Sequence, residues 1–203
     1  MSLISLTGLL LQGLDVQNDI DGKNERGKKY KPGQYFVLKF DFSTIPSSSD
    51  LAEADRKLIK SLNFSIERFY KTYATYLDDG VTSLYENIDS ERPDISLQKC
   101  SGLVEDALSR NEQLAGVQGI YMLVDEYDAF TNNYLEPLDI VEPYKTTLDG
   151  TAVGETFRSF WSIVKLLCTQ GIQRVFIRAS HRSPYLVSAV RSMWREICHS
   201  IRT

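Results

Sequence analysis

The sequence predicts an α/β fold in which a parallel β-sheet carries helices on both faces. Short apolar segments alternate with longer segments of helical periodicity, in the order strand, helix, strand, helix, strand. Near-continuous apolar runs of this kind are typical of parallel strands that are buried on both faces. The 203 residues are 42% hydrophobic and 25% charged, which is enough apolar material for a folded core.

Three segments have the features of buried strands. They span residues 35–42 (YFVLKFDF), 119–125 (GIYMLVD) and 173–178 (QRVFIR). Each is short, and at least half of its residues are aromatic or aliphatic, whereas the flanking segments are rich in glycine, serine or polar residues. Their alternation with segments of helical spacing predicts that the three strands run parallel.

Three segments have helical spacing of their apolar residues. The first begins directly after Asp50, a good N-terminal cap, and ends before Gly80. The second spans residues 96–114 and the third spans residues 155–170. Gly171 follows the third helix at the position of a C-terminal cap.

Composition excludes several classes of protein. The net charge of −4 and a pI near 5.3 give no overall attraction to nucleic acid or to anionic membranes. Three widely spaced cysteines argue against a disulfide scaffold and against a zinc site, and they suit a reducing compartment. No apolar run is long enough to cross a membrane. We therefore expect an intracellular protein, cytoplasmic or nuclear, without a membrane partner.

The second predicted strand runs directly into two carboxylates, Asp125 and Glu126. Ligands of parallel sheets gather at the carboxyl ends of the strands. Four apolar residues followed by Asp-Glu have the form of a Walker B element, in which the first carboxylate binds Mg²⁺ and the second activates or orients a water. The alternative is an ordinary strand that leaves the core for a solvated turn. Asp41, at the end of the first strand, lines the same cleft or caps a loop.

The string VDEYDAF, residues 124–130, resembles the most specific motif of the AAA-ATPase-like family. The resemblance extends over most of residues 35–177, and Phe130 replaces the proline that is usual in the family. Members are predicted P-loop ATPases of fungi and bacteria, often joined to a restriction-endonuclease-like domain and linked to mobile elements. The resemblance implies ATP and Mg²⁺ as cofactors, with Asp125 as the metal ligand and Glu126 as the catalytic base or water-positioning residue.

The phosphate-binding loop of that family, Walker A, has no clear counterpart in this sequence. The opening MSLISLTGLLL resembles the helix that follows the loop, with Ser2 near the position of the magnesium-binding hydroxyl. Residues 22–29 (GKNERGKK) nearly match the loop pattern, but no buried strand precedes them and no helix follows, so a solvated charged loop is the alternative. The resemblance thus implies a truncated P-loop NTPase-like fold that retains the family's strand order 2-3-4. By this resemblance the three strands are parallel neighbours, with 119–125 in the centre.

The predicted organisation is an incomplete AAA-ATPase-like domain over residues 1–180 and a divergent helical tail over 181–203. The tail is rich in arginine, which is compatible with nucleic-acid binding, but its apolar spacing favours an amphipathic helix. Two functional hypotheses stay open. One is an ATPase domain with little or no hydrolysis as an isolated chain. The other is a non-enzymatic interaction module that self-associates, or binds a partner strand, at residues 173–178.

Overall fold

A computed structural model describes residues 33–77, 83–132 and 150–178. Three strands form its sheet: β1 (Tyr35–Asp41), β2 (Gly119–Asp125) and β3 (Ile172–Arg178). Both pairings are parallel and the order is β1-β2-β3, so the predicted central position of the second strand is confirmed.

Four helices connect and cover the strands. They are α1 (Leu51–Leu77), α2 (Pro93–Arg110), α3 (Tyr127–Asn132) and α4 (Ala152–Leu167). Short 3-10 turns lie at Phe42–Thr44, Leu84–Asn87 and Glu112–Leu114. No helix within the described ranges is long and apolar enough to span a bilayer.

The helix starts follow from local capping. Asp50 caps α1 as predicted, because its Oδ1 accepts a hydrogen bond from the Ala52 N–H at 2.9 Å. The second helix begins at residue 93 rather than 96, since Pro93 has the fixed φ that suits a first helical position. The third predicted helix begins at residue 152 rather than 155, because the Thr151 hydroxyl accepts from the Gly154 N–H at 3.2 Å.

The predicted capping role of Gly171 is wrong. Helix α4 ends at Leu167, and Cys168 is its C-terminal cap. A Cβ atom at Gly171 would collide with the Ser101 hydroxyl and lie 2.6 Å from Glu105 Oε1, both on α2. Glycine is therefore needed here for the close approach of α2 to the start of β3, and not to end a helix.

Helices α1, α2 and α4 all pack on one side of the sheet, which we call the helix face. Right-handed crossovers that advance in one direction across a sheet place their helices on the same side. The buried residues of β1 and β2 on this face are Phe36, Leu38, Phe40, Ile120, Met122 and Val124. The ring of Phe36 lies 4.9 Å from that of Tyr73 on α1, and the ring of Phe40 lies 5.1 Å from that of Phe160 on α4.

The opposite side of the sheet, the outer face, carries no helix from the residues that the structure describes. Tyr35 and Tyr121 pack edge-to-face with ring centroids 5.8 Å apart. The Arg174 guanidinium lies 5.7 Å above the Tyr35 ring, and its Nε donates to Tyr35 Oη at 3.0 Å. Phe176 is 54% exposed. The segments of the sequence before residue 33 and after residue 178 lie outside the described residues.

We expect Val124→Asp to lower the free energy of unfolding by about 4 kcal/mol or more, because it places an unpaired carboxyl in the core. Val124 is 1% exposed on the helix face, whereas its neighbour Asp125 lies on the outer face. Asp125→Asn is the matched control and should cost no more than about 1 kcal/mol. Urea denaturation of both variants measures the difference. Equal destabilisation would make Asp125 a structural residue.

Candidate functional site

The register of the sheet brings one charged residue from each strand into a single line. Asp41 of β1 pairs with Asp125 of β2, and Asp125 pairs with Arg178 of β3. Neighbouring strands are separated by about 4.8 Å, and paired residues of parallel strands point to the same face. All three side chains therefore stand together on the outer face, at the carboxyl ends of their strands.

A fourth residue, Lys39, completes what we call the charged row: Lys39, Asp41, Asp125 and Arg178. The Lys39 ammonium lies 3.4 Å from Asp41 Oδ2 and 3.5 Å from Asp125 Oδ2. From the other side, Arg178 Nη1 lies 3.7 Å from Asp125 Oδ1. Two carboxylates and two cations thus alternate across three neighbouring strands.

Asp41 caps the turn after β1, which was one of its two predicted roles, and its other role, lining a ligand cleft, stays a prediction. Its Oδ1 accepts hydrogen bonds from the Ser43 backbone N–H at 3.2 Å and from the Ser43 hydroxyl at 2.6 Å, which caps the turn after β1. Its Oδ2 faces Lys39 in the charged row. The Ser43 hydroxyl, followed by the Lys39 charge, lowers the pKa of the Asp41 carboxyl. One of its oxygens is thus committed to the turn.

Asp125 differs from Asp41 because none of the residues that the structure describes donates a hydrogen bond to one of its oxygens. This oxygen, Oδ1, is buried and lies 3.7 Å from Arg178 Nη1. A buried carboxylate oxygen without a donor is costly, and a hard cation such as Mg²⁺ would satisfy it. The described residues contain no cluster of three or more acidic, histidine or cysteine side chains fit for a metal. Nucleotide-bound Mg²⁺ needs only one or two carboxylates, so Asp125 fits it.

Glu126 follows Asp125 in a left-handed backbone conformation with φ at +50°. This conformation is unusual for a residue with a side chain and costs on the order of 1 kcal/mol or more. It turns the chain out of β2 and into α3, where the Glu126 carbonyl accepts a hydrogen bond from the Ala129 N–H at 2.9 Å. Strain of this kind is common at functional sites and rare elsewhere.

An aromatic cluster supports the turns that follow β1 and β2. Phe130 of α3 is fully buried and stacks on Phe157 of α4, with ring centroids 5.7 Å apart. Phe42, directly after Asp41, lies 6.1 Å from Phe157 and stacks at 6.2 Å on Trp161. Phe130 is therefore a core aromatic that joins α3 to α4. This cluster fixes the backbone on which Asp41 and Glu126 stand.

Sequence reasoning identified Asp125 and Glu126, and it missed the place of Lys39 and Arg178 in the row. The signal for Lys39 was its spacing of two residues from Asp41, which puts both side chains on one face of a strand. Ser2 and residues 22–29, the sequence candidates for phosphate binding, lie outside the described residues, as does the tail 181–203. The roles of Asp125 as metal ligand and of Glu126 as catalytic residue stay predictions, as do the predicted phosphate contacts.

The fold and its charged row define the class of protein first. A three-stranded parallel sheet with polar residues gathered at its carboxyl ends is consistent with a P-loop NTPase-like α/β fold. The chain belongs to the AAA-ATPase-like family, because the model of that family, described as a predicted AAA-ATPase, matches residues 17–180. No curated protein and no solved structure matches the chain.

We expect Glu126→Gly to leave the free energy of unfolding unchanged or to raise it by up to about 1 kcal/mol, because glycine adopts a positive φ without strain. Glu126→Val should lower it by about 1–2 kcal/mol, since a β-branched residue is poorly tolerated at φ +50°. Urea denaturation of both variants measures these effects. Clear destabilisation by Glu126→Gly would mean that the Glu126 side chain holds the fold together and is not reserved for chemistry.

Proposed function

We propose that the charged row is the Walker B site of a nucleotide-binding domain that takes ATP together with Mg²⁺. The observation that carries the proposal is the unsatisfied Oδ1 of Asp125 at the carboxyl end of the central strand. Membership of the AAA-ATPase-like family supports it, because that family is described as predicted ATPases. In such a site the bound cation neutralises the phosphate charge that develops as a phosphoryl group is transferred.

The roles of the two carboxylates follow from their places. Asp125 is held on the central strand between two cations, so its carboxylate has a fixed position for the metal or for a metal-bound water. Glu126 stands one residue further along, on the strained turn into α3. Its carboxylate accepts a proton from the attacking water or orients that water. Arg178, at the end of β3, adds a positive charge beside Asp125 for phosphate oxygens.

We further propose that this chain by itself hydrolyses ATP at no more than a background rate. Phosphoryl transfer needs a cradle of backbone N–H groups and a lysine around the phosphates, supplied in P-loop proteins by Walker A. The sequence contains no G-x-x-x-x-G-K-S or G-x-x-x-x-G-K-T pattern, and its near-match at residues 22–29 ends in lysine. Asp125, Glu126 and Arg178 are enough for weak binding of a metal–nucleotide complex, but they do not supply the cradle that holds the phosphates for transfer.

The proposed ATP site and the proposed lack of hydrolysis are tested separately, the first by a binding measurement. Mg²⁺ should strengthen ATP binding by the purified chain, measured by calorimetry with and without EDTA, and Asp125→Asn should remove that gain. Asp106→Asn, which changes an exposed aspartate of α2, is the matched control and should behave as the wild type. No detectable ATP binding, or a magnesium effect that persists in Asp125→Asn, would contradict the site.

Hydrolysis is the second measurement, and phosphate release by the purified chain should not exceed the rate without protein. Magnesium-dependent turnover that Glu126→Gln abolishes would disprove the inactivity of the isolated chain. The same turnover would make residues 22–29 a candidate phosphate loop, and Lys28→Ala would then test it.

A second candidate function, a strand-pairing interaction module, is favoured by a difference between the two edges of the sheet. On β1, the backbone N–H of Val37 donates to the Tyr73 hydroxyl of α1 at 3.0 Å, so that edge is blocked by the protein's own helix. On β3, no described residue pairs with the outer edge, and Phe176 is exposed beside the half-buried Val175 and Ile177. Unpaired apolar edges favour the addition of another strand.

We expect the isolated chain to self-associate through β3 as its concentration rises, which size-exclusion chromatography with light scattering will show. Phe176→Lys should restore the monomer, because a charge on an edge strand opposes strand addition. Phe64→Lys is a matched control, since Phe64 on α1 is 56% exposed and Phe176 is 54% exposed. A monomer at all concentrations, with slow amide exchange over residues 173–178, would show that the edge is already covered.

A further inference from the structure

Lys39 occupies an unusual place in the charged row, between two carboxylates of different strands. Its ammonium lies 3.4 Å from Asp41 Oδ2 and 3.5 Å from Asp125 Oδ2. By contrast, Lys57, Arg92 and Arg158 pair with carboxylates along a helix or at a helix start. Lys39 thus bridges β1 and β2 through one carboxylate of each strand.

The bridge has a physical reason. Asp41 and Asp125 are register partners on neighbouring parallel strands, so two negative charges stand side by side and repel each other. A lysine ammonium is a compact point charge on a flexible stem, and it offsets this repulsion as a bound cation would. The Lys39 side chain is 53% exposed, so its ammonium is not locked in place and can leave for another anion.

The net charge of the charged row determines which cations it attracts. The charged row has two carboxylates and two cations, so its formal net charge is zero. A neutral row has little attraction for a free divalent cation, because the positive charges of Lys39 and Arg178 repel it. A metal–nucleotide complex differs because its phosphates supply the anions with which the displaced ammonium can pair.

We propose that Lys39 is an internal counter-ion that competes with the divalent metal for Asp125. In the metal-free protein it holds the Asp125 carboxylate and keeps free divalent cations out of the site. When a metal–nucleotide complex binds, the ammonium leaves Asp125 Oδ2 and pairs with a phosphate oxygen. Lys39 is therefore a positioning residue that selects the metal–nucleotide complex over the metal alone, and this role rests on the site proposed above.

Mn²⁺ alone tests the competition without any nucleotide, because the free ion can be counted by electron paramagnetic resonance. Lys39→Met should bind Mn²⁺ about tenfold more tightly than the wild type, a factor common between coupled sites. The gain should vanish in the double variant Lys39→Met/Asp125→Asn. Lys57→Met is the matched control, since Lys57 pairs with the single carboxylate of Glu53 at 3.0 Å on α1.

Thermal unfolding gives an independent measurement on the same proteins. Saturating Mn²⁺ should raise the unfolding midpoint of Lys39→Met by about 2–4 °C more than that of the wild type or of Lys57→Met. If Lys39→Met folds poorly, Lys39→Gln can be used instead in both measurements, because it removes the same charge. Equal Mn²⁺ affinity in wild type and Lys39→Met, undetectable binding by both, or a gain that survives Asp125→Asn would overturn the proposal.

The nucleotide measurements show which of the two proposals fails. Tight Mn²⁺ binding by Lys39→Met through Asp125, without ATP binding by the wild type, would disprove the nucleotide site. The same result would support the competition between Lys39 and the metal. ATP binding that needs Mg²⁺ and Asp125, with no change in Mn²⁺ affinity in Lys39→Met, would support the nucleotide site. It would disprove the proposed role of Lys39.

Discussion

The rest of the structure depends on the hydrogen bonding of β2 to a parallel strand on each side. This double pairing fixes Asp41, Asp125 and Arg178 in one line at the carboxyl ends of the strands. A slip of one residue would turn every side chain of β2 to the other face, so Val124 would leave the core and Asp125 would enter it. The register therefore determines the core and the charged row together.

The two faces of β2 differ in burial, because one is packed in the core and the other ends in a carboxylate. On the helix face, alternate residues pack against α1, α2 and α4, and the burial of apolar area there stabilises the fold. On the outer face, the intervening residues end in Asp125, whose Oδ1 accepts no hydrogen bond from the part of the chain that the structure describes. The aromatic cluster around Phe157 packs against the turn after β1 through Phe42 and against α3, after β2, through Phe130. The turn at Glu126, with its positive φ, thus rests on this packed aromatic cluster.

Much of the fold was predictable from sequence because its signals are local. The strand bounds were correct to within one residue, and Asp50 marked the start of α1. Gly171 was misread because its requirement comes from the approach of α2, which is distant in sequence. The bridge made by Lys39 and the edge bond between Val37 and Tyr73 also depend on tertiary contacts, so sequence patterns do not reveal them. Asp125 and Glu126 were found because an apolar strand ends at them, and their roles stay predictions.

The central claim is that the charged row is where the metal–nucleotide complex binds. Mn²⁺ broadens the NMR signals of nearby nuclei, so a titration of labelled protein with Mn²⁺ and ATP maps the metal directly. The account predicts that broadening begins at the amides around Asp41, Asp125 and Arg178, and that Asp125→Asn removes it. Broadening that begins elsewhere, for example at the acidic first turn of α1 around Glu53, or that is unchanged in Asp125→Asn, would contradict the account.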